Sequence, residues 1–135
     1  MRVKELASDD WKICSPVIND EGFTDIEVYL NVNRSDKGLT NLLSSIDRLS
    51  KFGSRGFTDS SVHEVNKEHG IYQLRKGNHR FLYFHGEPRK LILIACPHRK
   101  NGNKVDPKEV KSAIQIKQTY QQNIDAGSIT YCKDE

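Results

Sequence analysis

Between positions 66 and 111 stand eleven lysines and arginines against four acidic residues, whereas positions 1–65 carry eight against eleven and positions 112–135 two against three. Within that basic stretch lie Arg75, Lys76, His79, Arg80, His98, Arg99, Lys100 and Lys104. Their side chains share a chemistry. A guanidinium stays protonated and grips a phosphate through two parallel hydrogen bonds. An imidazole titrates near neutral pH, so it can take or give a proton. Lysines attract a polyanion and add salt-dependent affinity by releasing its counterions. Such a segment suggests nucleic acid as partner. The plainer alternative is a solvated basic surface, with Arg75 and Arg80 paired to Glu64 or Glu68 in salt bridges of little energetic weight.

The elements that must position these side chains change character along the chain. At 135 residues the chain is the size of one domain with one core. The run WKICSPV reads as a short first edge strand ending at Pro16. From Thr24 to Val32 apolar residues recur at helical spacing, with Thr24 as N-cap. Leu39, Leu42, Leu43, Ile46 and Leu49 then mark one face of a second helix, which Gly53 ends. A short polar link around 33–36 makes the two helices a hairpin that presents leucines to a sheet. Past a loop at 52–61, four runs rich in branched and aromatic residues follow: Val62–Val65, Ile71–Arg75, Asn78–Phe84 and Lys90–Cys96. Turns such as Lys76-Gly77-Asn78 and Gly86-Glu87-Pro88 separate them, which predicts an antiparallel meander.

Alternation along these strands puts Arg75 on one face of its strand with Ile71 and Gln73, opposite Tyr72 and Leu74, and separates Arg80 from His79 in the next. One sheet face can pack on the helices while the other offers basic and aromatic groups. A basic loop from His98 to Lys104 leads to a last helix, with Asp106 as N-cap, Pro107 at its first position and Val110, Ala113, Ile114, Tyr120 and Ile124 on its apolar side. The expected core spans about 23–124, and residues 125–135 read as a loose polar tail. Overall the expected fold is α+β: two N-terminal helices packed on a four- to five-stranded antiparallel sheet, with a C-terminal helix.

Several function classes are disfavoured. No stretch has the roughly 20 apolar residues of a membrane span and the N-terminus lacks a long apolar region, so a cytoplasmic protein is expected. Cys14, Cys96 and Cys132 fit neither a disulfide framework nor a metal pair, and read as reduced thiols. Asp59, His63 and His69 have no metal-binding spacing. Tyr72, Phe81 and Tyr83 are expected to pack rather than to stack bases.

The order of motifs carries a further reading. A leucine-rich helix ending at glycine (NLLSSIDRLSKFG) precedes Tyr72-x-Leu74-Arg75, a turn, a strand with Arg80, Tyr83 and Phe84, the aliphatic run LILIA and the basic loop HRKNGNK. A helix with Pro107, Glu109, Val110 and Ala113 closes the series. Over roughly residues 23–121 this series resembles the RelE/ParE toxin superfamily, in its HigB-like, phage-derived branch. The resemblance implies the toxin of a type II toxin–antitoxin pair that cleaves translated mRNA at the ribosome, partnered by a small helix-turn-helix antitoxin. In that reaction the RNA 2′-hydroxyl attacks the adjacent phosphate, so the enzyme orients the hydroxyl, neutralises the developing charge and protonates the leaving oxygen. The implied nuclease needs no metal and no cofactor. Arg75, Arg80, His98 and Arg99 are the implied catalytic residues, with Lys76, His79, Lys100 and Lys104 contacting RNA. Two other functions are compatible with the same motifs: a ParE-like toxin that inhibits gyrase by protein contact, and a non-catalytic binding protein of the same fold.

Overall fold

The computed structural model describes residues 1–87, 89–102 and 104–132. Pro88 of the expected turn, Asn103 of the basic loop and residues 133–135 of the tail lie outside them. The chain opens with two strands, β1 (Arg2–Ser8) and β2 (Lys12–Pro16), then runs through helices α1 (Asp25–Val32) and α2 (Leu39–Phe52). After a 3₁₀ turn at Gly53–Gly56 come β3 (Val62–Asn66), β4 (Ile71–Lys76), β5 (His79–His85) and β6 (Leu91–Arg99). Helix α3 (Pro107–Asp125) and a short β7 (Thr130–Cys132) follow.

All seven strands belong to one sheet in the order β3-β4-β5-β6-β2-β1-β7. The expected meander is present, with β3 to β6 pairing antiparallel in sequence. The expected sheet of four to five antiparallel strands, reached after two opening helices, is not. The sheet is mixed: β2 lies parallel to β6, and β7 parallel to β1. Segment 12–16, expected at an edge, is interior, hydrogen-bonded to strands on both sides.

The aliphatic run in β6 explains why the sheet continues beyond the meander. Leu91 to Cys96 are all buried, which is the mark of a central strand covered on both faces. An open edge at β6 would also leave a row of peptide groups unpaired in the interior. Strand β2 fills that edge, and Ile13 and Cys14 are fully buried there. The core therefore begins well before position 23. It also reaches past position 124, since β7 pairs with β1 and the Met1 ammonium donates to Asn123 Oδ1 at 2.8 Å and to the Ser128 carbonyl at 3.1 Å.

Both faces of the sheet are covered. On one, Ile26 of α1 and Leu42, Ile46 and Leu49 of α2 pack on Ile13, Leu74, Phe81, Tyr83, Ile92 and Ile94. On the other, Ala113 and Tyr120 of α3 pack on Ile71, Leu82, Phe84, Leu91 and Leu93. Leu43, placed by its spacing on the buried face of α2, is 49% exposed.

Local chemistry sets the helix ends. Thr24 Oγ1 accepts the Glu27 N–H at 3.1 Å while Glu27 Oε1 accepts the Thr24 N–H at 3.0 Å, a reciprocal cap on α1. Asp106 Oδ1 accepts the Lys108 N–H at 2.9 Å, and Pro107 opens α3. Helix α2 stops at Gly53, whose φ is +61°, and a Cβ there would stand 2.7 Å from Trp11 Cε2.

Candidate functional site

Strand register assembles the site. Arg75 of β4 lies directly opposite Arg80 of β5, and Arg80 lies directly opposite His98 of β6. The three stand side by side in one rung of the sheet, on the face that carries α3. They line a shallow cleft of about 30 Å³, with Lys100 and Lys104 from the following loop and Asp106 at the start of α3. So small an enclosed volume suits a polymer lying across it better than a swallowed ligand.

Regular alternation would not have put His98 there. Leu82 pairs with Ala95 and Arg80 with His98, so Cys96 and Pro97 together oppose Phe81 alone. This β-bulge carries β6 one position out of phase, and His98 emerges on the same face as Ala95 instead of the opposite one. Cys96 takes φ +55°, a left-handed conformation uncommon for a residue with a side chain. Helix α1 supplies the clamp: Asp25 Oδ2 accepts the Cys96 N–H at 2.9 Å, and Asp25 Oδ1 accepts from Ser15 Oγ at 3.0 Å. Burial holds the Asp25 carboxyl above its ordinary range, and these hydrogen bonds oppose that shift.

The imidazole of His98 is oriented by its own strand. Nδ1 stands 2.7 Å from the Cys96 carbonyl oxygen. Since a carbonyl only accepts, Nδ1 carries the proton, and the lone pair of the neutral ring sits on Nε2. Glu109 Oε2 is 3.9 Å from Nδ1, beyond hydrogen-bond reach. Burial raises the Glu109 pKa, His98 lowers it, and Asp106 and Asp25 raise it further.

Neither arginine meets the acidic partners considered for it. Arg75 Nη2 donates to His63 Nδ1 at 3.2 Å, and Arg75 Nε is buried with no hydrogen-bond partner among the described residues. Arg80 Nη1 donates to the carbonyls of Gly77 at 2.8 Å and His79 at 2.9 Å. Burial lowers the Arg80 pKa, and the neighbouring Arg75 lowers it further. His63 belongs to this cluster: it lies in β3 opposite Gln73, two positions along the strand from Arg75, and burial followed by the two arginines lowers its pKa. Its diagonal relation to Arg75 across the β3–β4 pair was the available signal.

The sheet separates the remaining named residues from this cleft. Lys76, His79 and Arg99 form the next rung. His79 is 1% exposed, pinned beneath α1 by a 2.5 Å hydrogen bond between its Nδ1 and the Tyr29 hydroxyl, with Nε2 3.2 Å from Asp36 Oδ2. Arg99 Nη2 donates to Asp36 Oδ2 at 2.8 Å and to Asn33 Oδ1 at 2.9 Å. His79 and Arg99 therefore lock the α1–α2 link to the sheet. Lys76 is exposed and lines a separate hollow of about 250 Å³ between α2 and the loop before β3.

Thiol chemistry has no foothold here. Burial pushes Cys14 up to about 11 and Cys96 up to about 12, so both stay protonated near neutral pH. No protein-family model matches the sequence, and no curated protein matches it. No helix among the described residues is long and apolar enough to cross a membrane.

Proposed function

We propose that the protein is a metal-independent endoribonuclease of the RelE/ParE toxin type, acting in the cytoplasm on mRNA at the ribosome and held in check by a small helix-turn-helix antitoxin. One observation carries this reading: two arginines and a histidine occupy a single rung of the sheet. Like charges directly across strands oppose folding, so such a rung makes sense where an anion is meant to lie over it. A scissile phosphate is that anion.

The chemistry follows from the positions. With phosphate against Arg75 and Arg80, the free Nε2 of His98 takes the proton of the 2′-hydroxyl as its oxygen attacks phosphorus. The bond to the 5′-oxygen breaks as the new one forms, leaving a 2′,3′-cyclic phosphate, and the departing oxygen takes a proton from water in the open cleft. The guanidiniums offset the added negative charge of the pentacoordinate state. Lys100 and Lys104 hold the flanking backbone.

The test uses translating ribosomes, with mRNA 5′ ends mapped after incubation. Wild type is expected to cut, and Arg75→Ala with Arg80→Ala to lose at least about a hundredfold, the scale of a lost transition-state contact. Equal cutting by both proteins would reject the site. Supercoiling of relaxed DNA by gyrase, blocked by the protein in a parallel assay, would instead favour the gyrase-directed alternative.

A further inference from the structure

A further concave surface lies on the α1/α2 face of the sheet. It is a groove of about 590 Å³, within the roughly 300–1,000 Å³ of small-molecule sites. Trp11, Tyr72 and His85 line it, and their rings run in series: Trp11 to His85 at 5.7 Å, His85 to Tyr72 at 5.4 Å, and Tyr72 stacked on buried Tyr83 at 5.2 Å and 15°. Three cations, Arg55, Arg89 and Lys90, line it too. Lys90 Nζ is bound to Asp10 at 2.9 and 2.8 Å, whereas Arg55 and Arg89 are exposed and make no ion pair among the described residues.

We infer that this groove binds a nucleotide, its base against the Trp11–His85–Tyr72 rings and its phosphate on Arg55 and Arg89. Packing alone accounts poorly for the arrangement. Buried aromatic residues need no cations around them, and solvated arginines need no aromatic floor; the two together match a ligand that is flat and apolar at one end and anionic at the other. Aromatic faces take any base by stacking, and guanidiniums take phosphate. The paired Asp10 leaves the surroundings net positive. The groove is distinct from the arginine rung: Tyr72 and Tyr83 are themselves a cross-strand pair, three residues along the hairpin from Arg75 and Arg80 and on the opposite sheet face. The inference thus stands whether or not the rung cleaves RNA.

Trp11 is the only tryptophan in the chain, so its emission reports on the groove. The experiment titrates the full-length protein with adenosine monophosphate, with hexauridylate and with ribose 5-phosphate, following that emission. Saturable quenching by either nucleotide probe is the expected result; quenching by the mononucleotide identifies a free-nucleotide site, and by the hexamer alone a site for single-stranded RNA. Arg55→Ala with Arg89→Ala, on exposed side chains whose loss leaves the circular dichroism unchanged, should weaken binding about tenfold or more and flatten its salt dependence. Arg75→Ala with Arg80→Ala should shift this affinity by less than about threefold, since additivity holds for distant sites. Quenching by ribose 5-phosphate as strong as by the nucleotides would overturn the stacking role, and no saturable quenching, or equal quenching in the Arg55/Arg89 variant, would overturn the site and leave the groove to another class of partner.

Discussion

Arg75 and Arg80 face each other across β4 and β5 as like charges, and among the described residues the Arg80 guanidinium donates only to backbone carbonyls. A double-mutant cycle with glutamine at each position should therefore return an unfavourable coupling of about 0.2–1 kcal/mol in the absence of RNA, read from urea unfolding. A favourable coupling would mean that no bound anion is needed to explain the rung. Asp25 makes the complementary case, because its carboxylate sustains the bulge that turns His98 into the cleft. Asp25→Ala orphans the Cys96 N–H and the Ser15 hydroxyl and should cost about 1–3 kcal/mol. Asp25→Asn keeps an acceptor and changes pH dependence instead. The folded carboxyl titrates above its ordinary 3.8, so the folded state binds more protons, and wild-type stability falls as pH rises through that window. The Asn variant lacks that slope, and its stability relative to wild type should rise over the same window in denaturant titrations at stepped pH. At this scale the arginines were legible in the sequence, since simple alternation puts Arg75 and Arg80 on definite faces. The side taken by His98 was not, because the bulge depends on an acceptor 71 residues away.

Helices and strands differ in how much of themselves they show in sequence. The caps of α1 and α3, the leucine face of α2 apart from Leu43 and the four strands of the meander follow from short-range chemistry and were readable. Thr24→Ala removes one member of the reciprocal cap, and thermal unfolding should show a loss of about 1 kcal/mol. Gly53→Ala should cost more than that, because it adds strain at positive φ to a Cβ placed 2.7 Å from the Trp11 indole. If the two variants proved equally mild, Trp11 would be free to move away from the end of α2. Strand β1 shows the opposite situation. Its register shifts between Glu5 and Ala7, so Leu6 and Ala7 both pack on the α1/α2 side while Val3 faces α3. The bulge erases the period-two pattern, and Lys4, 7% exposed and paired with Glu27 at 2.8 Å, disguises the strand as polar surface.

For the whole molecule, the first and last strands meet at one edge of the sheet, where β7 pairs with β1. A chain ending at Asp125 would lose β7 and the Ser128 contact of the Met1 ammonium, baring the β1 edge. It should unfold at lower temperature and, by edge pairing, show added self-association in sedimentation; an unchanged melting point and a monomer would mean that β7 contributes nothing. The sequence by itself determined the α+β class, three helices, the meander, and a basic segment whose arginines share a hairpin. These are local matters, decided by residues within a turn or a strand of each other. Only the tertiary structure decided that the first sixteen residues supply two interior strands of the sheet, that α3 covers its second face, and that the basic residues divide into a cleft with Arg75, Arg80 and His98 and a structural clamp with His79 and Arg99. The physical reason is that parallel pairing of β2 with β6, and a bulge capped by a distant carboxylate, link segments some 70 to 80 residues apart, and no short-range pattern encodes such partners.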